Sequence, residues 1–190
     1  MRDPQRDKTR VAILISGRGS NMRALVERAS GHEVVLVASN KPHAEGLDWA
    51  RAQGLPTWAW DSKGVEKEQF DRTLSAALED HHIGTIALAG FMRILSPLFV
   101  EEWRGRILNI HPSLLPKYRG LDTHARAIEA GDRVHGCSVH VVTEELDAGE
   151  VLGQAEIAIE ENDTPVSLEQ RVLAAEHELY PKILSEFVQR

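Results

Sequence analysis

The chain has 190 residues, 42% of them hydrophobic and 27% charged, with a formal net charge of -7 and a single cysteine. That size supports one domain with a sizeable core, and the acidic balance excludes general attraction to a nucleic-acid backbone, so any phosphate site must be local. Cys137 alone can build neither an internal disulfide nor a thiolate metal cluster, which points to a reducing, cytoplasmic home.

The polar start, MRDPQRDKTR, lacks the apolar core of a signal peptide, and no later apolar run approaches the ~18 residues of a membrane span. Residues 1–9 are therefore expected to be a flexible tail ahead of one domain over residues 10–190. Residues 11–15, VAILI, read as a strand covered on both faces. They lead into Ser16-Gly17-Arg18-Gly19-Ser20-Asn21 and then a helix over residues 22–29. A strand, a glycine turn and a helix start together present free backbone N–H groups and the positive end of a helix dipole, a setting that suits phosphate. A dinucleotide loop does not fit, because GRGSNM lacks the third glycine and the next strand ends in Ser39-Asn40 rather than an acid. No Gly-Lys-Ser/Thr follows, so a Walker loop is excluded too. A site for a single phosphate remains.

Residues 33–39 are the second strand, 44–53 a helix stopped by Gly54, and 55–60 a short third strand. Residues 65–81 are amphipathic, with Phe70, Leu74, Ala77 and Leu78 on one side, and lead into an apolar strand over 83–89. Gly90-Phe91-Met92-Arg93-Ile94-Leu95 follows that strand's carboxyl end. Ser96-Pro97 has the cap and first-turn chemistry of a short helix to about Trp103. In the next strand Ile107, Leu108 and Ile110 are apolar, and Pro112 cannot donate a ladder hydrogen bond, so the strand must stop at His111. Residues at i and i+2 share a face, so Asn109 and His111 point the same way. One brings an amide donor and the other a group that donates or accepts near neutral pH, a pair suited to an oxyanion. Taken alone, such residues at a strand end cap loops more often than they catalyse.

Asp122 is expected to cap a helix over residues 123–130. Residues 134–143 and 150–159 alternate more strongly and form an antiparallel pair around the loop 144–149. A closing helix spans residues 166–187, with Pro181 a candidate kink. The sum is a three-layer α/β, Rossmann-like fold: a mostly parallel sheet, an antiparallel C-terminal portion and a long closing helix. Ligands in such sheets bind at the carboxyl ends of strands near a switch in strand order. The glycine loop, Gly90 to Leu95, and Asn109 with His111 all follow strands and so share that edge. The four tryptophans read as packing and Cys137 as inert core; His81 and His82 read as surface, His32 and His43 as loop residues, and His135 and His140 as hairpin residues with His140 a candidate to point at the site, while His124 and His177 are not expected to catalyse. No HExxH or cysteine pair is present, so no metal is expected.

The segments ISGRGSN, AGFMRILSP, LNIHPSLLPKYRGLDTH and GCSVHVVTEELDAG, in this order and spacing, resemble the glycinamide ribonucleotide formyltransferase family of folate-dependent enzymes in purine synthesis. The likeness runs over residues 11–187. Methionyl-tRNA formyltransferases share the Asn-x-His-Pro-Ser-Leu-Leu-Pro strand end but carry a further domain for tRNA, and formyltetrahydrofolate deformylases carry an N-terminal regulatory domain; neither is expected here.

The resemblance implies Asn109, His111 and Asp147 as the catalytic trio. It implies Gly19, Ser20, Asn21 and Glu176 around the phosphate and ribonucleotide. It places Lys67, Met92, Arg93, Ile94, Leu95 and Asn109 with Glu144, Glu145, Leu146, Asp147 and Ala148 around the folate, with Lys67 standing where the family has an arginine. The implied co-substrate is 10-formyltetrahydrofolate and the other substrate glycinamide ribonucleotide, without nucleic acid or membrane and with room for a homodimer. A non-catalytic folate or sugar-phosphate sensor, or another folate-dependent formyltransferase or deformylase, is the competing expectation.

Overall fold

The computed structural model describes residues 7–190. Its seven strands are β1 (Arg10–Ile15), β2 (Glu33–Ser39), β3 (Thr57–Ala59), β4 (Thr85–Leu88), β5 (Ile107–His111), β6 (Val134–Val141) and β7 (Val151–Ala158). They form one sheet in the order β3-β2-β1-β4-β5-β6-β7, parallel through β5 and antiparallel from there. The strand order turns between β1 and β4, which opens a crevice at the carboxyl ends of those two strands.

The helices are α1 (Ser20–Glu27), α2 (Glu45–Ala52), α3 (Lys67–Asp80), α4 (Pro97–Glu102), α5 (Thr123–Glu129) and α6 (Pro165–Val188). Strand alternation sorts them into layers. Val11, Ile13 and Ile15 of β1 pack with Met22, Leu25, Leu47 and the α6 residues Leu168, Val172 and Leu184, whereas Ala12 and Leu14 face Phe70, Leu74, Phe99 and Trp103. Both faces of β1 are therefore dry, which is why it reads as a continuous apolar run.

α6 starts on a capping box at Thr164 and Ser167 and continues as one helix through Pro181. Its Tyr180 is fully buried, and its hydroxyl lies 3.1 Å from the carbonyls of both Leu88 and Leu108, where it fastens the helix across β4 and β5. That bond sets the part of α6 bearing Glu176 above the crevice.

Two local expectations are corrected. Asp122 precedes α5 but makes no side-chain cap bond; its φ of 57° turns the chain into the helix instead. Of the expected tail, residues 1–6 lie outside the described residues, whereas Asp7 and Thr9 close a turn, and the carbonyl of Lys8 accepts from Thr85 Oγ at 2.8 Å. A Cβ on Gly84 would stand 2.0 Å from the Asp7 carbonyl, so this turn packs against the start of β4.

Candidate active site

β5 delivers Asn109 and His111 to the rim of the crevice, and both line one cavity of about 520 Å³. Its walls come from Gly90 to Met92 after β4, the loop 120–124, and Glu169, Val172, Leu173 and Glu176 of α6, with Asn21 of α1. The i, i+2 relation seen in the sequence thus holds in space.

The polar groups at its floor form a closed set. In the antiparallel register Asn109 stands opposite His140. His140 Nδ1 donates to the carbonyl of Val141 at 3.1 Å, which leaves Nε2 as an acceptor for the Asn109 amide at 3.2 Å. Burial holds the His140 ring below its ordinary titration range, in keeping with this neutral form. Asn109 keeps a second amide hydrogen for the cavity.

His111 is engaged at both ring nitrogens. Nε2 donates to the carbonyl of Tyr118 at 2.9 Å, and Nδ1 lies 3.4 Å from Asp147 Oδ2. A proton on Nδ1 as well as on Nε2 would make the ring a cation facing the Asp147 carboxylate. Asp147 itself accepts from the backbone N–H of Gly120 at 3.0 Å, its other oxygen stands 3.6 Å from His140 Nε2, and its side chain is 7% exposed. It sits behind the two histidines and does not itself line the cavity.

Two backbone features put it there. Asp147 adopts a φ of 50°, a left-handed conformation that costs a non-glycine residue about 1–2 kcal/mol. Gly149 lets the loop run close to β6: a Cβ there would stand 1.8 Å from the Val141 carbonyl.

The loop after His111 is pinned by residues that carry no recognisable motif. Ser138 Oγ donates to the carbonyl of Ser113 at 2.6 Å and accepts from the N–H of Leu115 and the amide of Gln154. Thr123 Oγ donates to the Pro112 carbonyl. The available signal was pairing: His111 is opposite Ser138 and Asn109 opposite His140, so alternate residues of β6 back the β5 rim. His124 also lines the cavity and shares a hydrogen bond of 3.1 Å with His135, whose burial lowers its pKa to about 4.

The other predicted residues divide. Gly19 has a φ of 71° and precedes α1, whose first N–H groups receive no side-chain cap from it. Asn21 donates to Glu176 at 2.8 Å while its own Oδ1 is buried without a partner. Burial pushes the Glu176 carboxyl up to about 7, with the Asn21 bond opposing. Met92 lines the cavity; Arg93 turns away, donating to the carbonyls of Ser62 and Val65 and stacking on Phe70. Ile94 is exposed, and Leu95 is buried in the core under α3 and α4.

Glu144 and Glu145 line a neighbouring cavity of about 530 Å³ with Val100, Val142 and Thr143, and Glu145 pairs with Arg119 at 2.7 Å. Leu146 is exposed and Ala148 half-buried on the loop that carries Asp147. Lys67 opens α3 and lines none of these spaces. Cys137 is buried, its thiol pushed up to about 12, and so is inert. Among the described residues no three His, Cys, Asp or Glu side chains are grouped to hold a metal ion, and no helix is long and apolar enough to cross a membrane.

The chain is similar to known proteins over most of its length. The formyl transferase family model matches residues 9–184. The phosphoribosylglycinamide formyltransferase of Escherichia coli (strain K12) is 43% identical over 182 residues, covering 93% of this chain and 86% of that protein. The trifunctional purine biosynthetic protein adenosine-3 of Gallus gallus is 46% identical over 95% of this chain, which spans 18% of that much longer protein. Among solved structures, the phosphoribosylglycinamide formyltransferase from Brucella melitensis superposes with a TM-score of 0.89 at 46% identity, covering 95% of each chain. With a family match over nearly its whole length, the chain belongs to the formyl transferase family.

Proposed function

We propose that the protein transfers the formyl group of 10-formyltetrahydrofolate to the amine of N1-(5-phospho-D-ribosyl)glycinamide, a step of purine synthesis, as a single cytoplasmic domain over residues 10–190. The observation that carries this reading is the buried set Asn109, His140, Asp147 and His111 at the floor of one cavity.

In this reaction the glycinamide nitrogen attacks the formyl carbon, a tetrahedral oxyanion forms, and the C–N10 bond breaks as the folate nitrogen takes a proton. The free amide hydrogen of Asn109 donates to the oxyanion, and His140 fixes the plane of that amide. His111 supplies a proton for the new oxyanion or N10 by releasing its bond to Tyr118, and Asp147 holds the imidazolium in place meanwhile. The proton lost by the incoming amine as its new amide bond forms returns to His111, so the net transfer runs from the amine to N10 and the protein ends as it began. No covalent enzyme intermediate is required, so the protein's contribution is positioning and charge stabilisation.

Glu176 and the unpartnered Asn21 Oδ1 suit ribose hydroxyls, and Gly19, Ser20 and the first turn of α1 suit the phosphate. The folate pterin is assigned to the neighbouring hollow lined by Val100, Val141, Val142 and Thr143, with Glu144 and Glu145 at its edge. Its benzoyl glutamate would then run past Arg93 toward Lys67. The decisive assay follows tetrahydrofolate release from 10-formyltetrahydrofolate. Release only when glycinamide ribonucleotide is present supports the transferase; release without it indicates a deformylase, and binding without release indicates a sensor.

A further inference from the structure

The segment from Tyr118 to Gly120 holds His111 and Asp147 from two sides. The carbonyl of Tyr118 accepts from His111 Nε2 at 2.9 Å, and the N–H of Gly120 donates to Asp147 Oδ2 at 3.0 Å. Both are backbone groups, so they are only as well placed as the loop that carries them. Tyr118 adopts a φ of 55°, a left-handed conformation that a non-glycine residue keeps only where its surroundings enforce it.

α5 supplies that enforcement. Arg126 Nη1 donates to the carbonyl of Arg119 at 2.7 Å and to that of Leu121 at 3.1 Å, and the guanidinium lies 5.2 Å from the centre of the Tyr118 ring. Gly120 is therefore bracketed by two charge-assisted bonds from one side chain. Where α5 ends, the N–H groups of Gly131 and Asp132 return to the carbonyls of Ile128 and Ala127, a glycine-stopped helix end that fixes the Asp132 backbone. Asp132 Oδ2 then accepts from the Tyr118 hydroxyl at 2.7 Å. Ser113 Oγ donates to the carbonyl of Lys117 at 2.6 Å. The carbonyls of Lys117, Arg119 and Leu121 are thus engaged by side chains outside the His111 ring, and that of Tyr118 is turned to the ring.

Arg126 is exposed and stands outside the cavity, so it acts through the loop. We propose that Arg126 is a positioning residue for the formyl transfer: by holding the carbonyls on both sides of Gly120 it keeps the Tyr118 carbonyl on His111 and so fixes the proton on Nε2. A carbonyl only accepts, so a hydrogen bond at Nε2 requires a proton there. With that carbonyl displaced, a neutral ring is free to place its one proton on Nδ1, toward Asp147, which leaves Nε2 bare. The catalytic part of this inference rests on the transferase reading above; the protonation of the His111 ring does not.

The test compares Arg126→Gln, which keeps two amide hydrogens but loses the charge, with Arg126→Leu, which keeps an apolar side chain but loses every donor. Arg126→Leu should lower kcat about tenfold, the rate equivalent of one lost hydrogen bond, with KM for both substrates within about twofold, whereas Arg126→Gln should stay within about twofold of the wild type in both. The 15N resonances of the His111 ring, assigned by their loss in His111→Gln and recorded without substrates, should show a protonated Nε2 in the wild type and in Arg126→Gln. In Arg126→Leu the Nε2 resonance should move toward that of a bare nitrogen. Wild-type kcat in Arg126→Leu, a loss that falls on KM, equal losses in the two variants, or an unaltered His111 spectrum each overturns the inference. Failure of the wild type to release tetrahydrofolate would overturn the transferase reading and this role with it; a wild type that turns over beside an insensitive Arg126→Leu overturns this role alone.

Discussion

The two sides of the crevice are built on opposite plans. On the β5–β6 side His111, His140 and Asp147 are held by named partners, Asn109 is fixed through one amide hydrogen to His140, and His111 and His140 are 5% and 2% exposed. On the rim, Met92, Ile94, Leu121 and Leu146 are between 56% and 73% exposed, apolar and without partners. The contrast separates two tasks. A donor aimed at a developing charge must be fixed before the charge appears, whereas a surface that closes over an apolar ring is completed by the ring itself. Substitutions on the fixed side should cost turnover, and those on the rim should cost affinity.

The largest effect is expected at Asp147. Asp147→Asn keeps the shape but presents a neutral amide where His111 needs an anion, and turnover should fall on the order of 10³–10⁴ while calorimetric binding of both substrates stays within a fewfold. A large binding loss with normal turnover would break the comparison. Asn109→Ala should cost about 10²–10³ in kcat with the folded state intact, as for loss of one oxyanion donor. His140→Ala leaves Asn109 in place but frees its amide plane; about tenfold in kcat, the rate equivalent of one hydrogen bond, is expected with little change in KM. A loss at His140 equal to that at Asn109 would mean that His140 meets the substrate directly.

Two buried groups should contribute opposing pH dependences to stability over nearly the same interval. His135 titrates at about 4 in the fold against an ordinary 6.5, so the unfolded chain takes up its proton first and Tm falls as pH drops through that interval. His135→Gln should remove part of that slope. Glu176 has the opposite sign: at about 7 against 4.5, its proton is retained by the fold and lost by the unfolded chain, so its contribution fades as pH rises through that interval. Glu176→Gln should flatten that part of the Tm profile. The smallest effect belongs to the rim, where Met92→Ala or Leu146→Ala should change stability by less than about 0.5 kcal/mol and raise KM for the folate severalfold at unchanged kcat.

The backbone of the parallel half was legible because its physics is local. Apolar runs marked β1, β2, β4 and β5, Pro112 marked the end of the central strand, and Ser96-Pro97 marked a helix start that carries the expected Ser96 cap. Asn109 and His111 were visible through strand periodicity, and Asp147 only through the family resemblance, since nothing in its neighbourhood reveals a left-handed residue held between two rings. His140 drew a passing suggestion and Ser138 none, because their roles depend on a register across 31 and 25 positions of chain that no local pattern encodes. Asp122 misled for the converse reason: the sequence marks a cap residue, but a positive φ there moves its carboxylate out of capping position.

The most direct test of the fixed side is a structure of the protein with a stable tetrahedral adduct that joins the folate N10 carbon to the glycinamide nitrogen. The adduct oxygen should accept from Asn109 Nδ2 at about 2.7–3.1 Å while the other amide hydrogen stays on His140. An adduct oxygen turned toward Met92 or solvent, with Asn109 and His140 undisturbed and out of reach, would contradict the account.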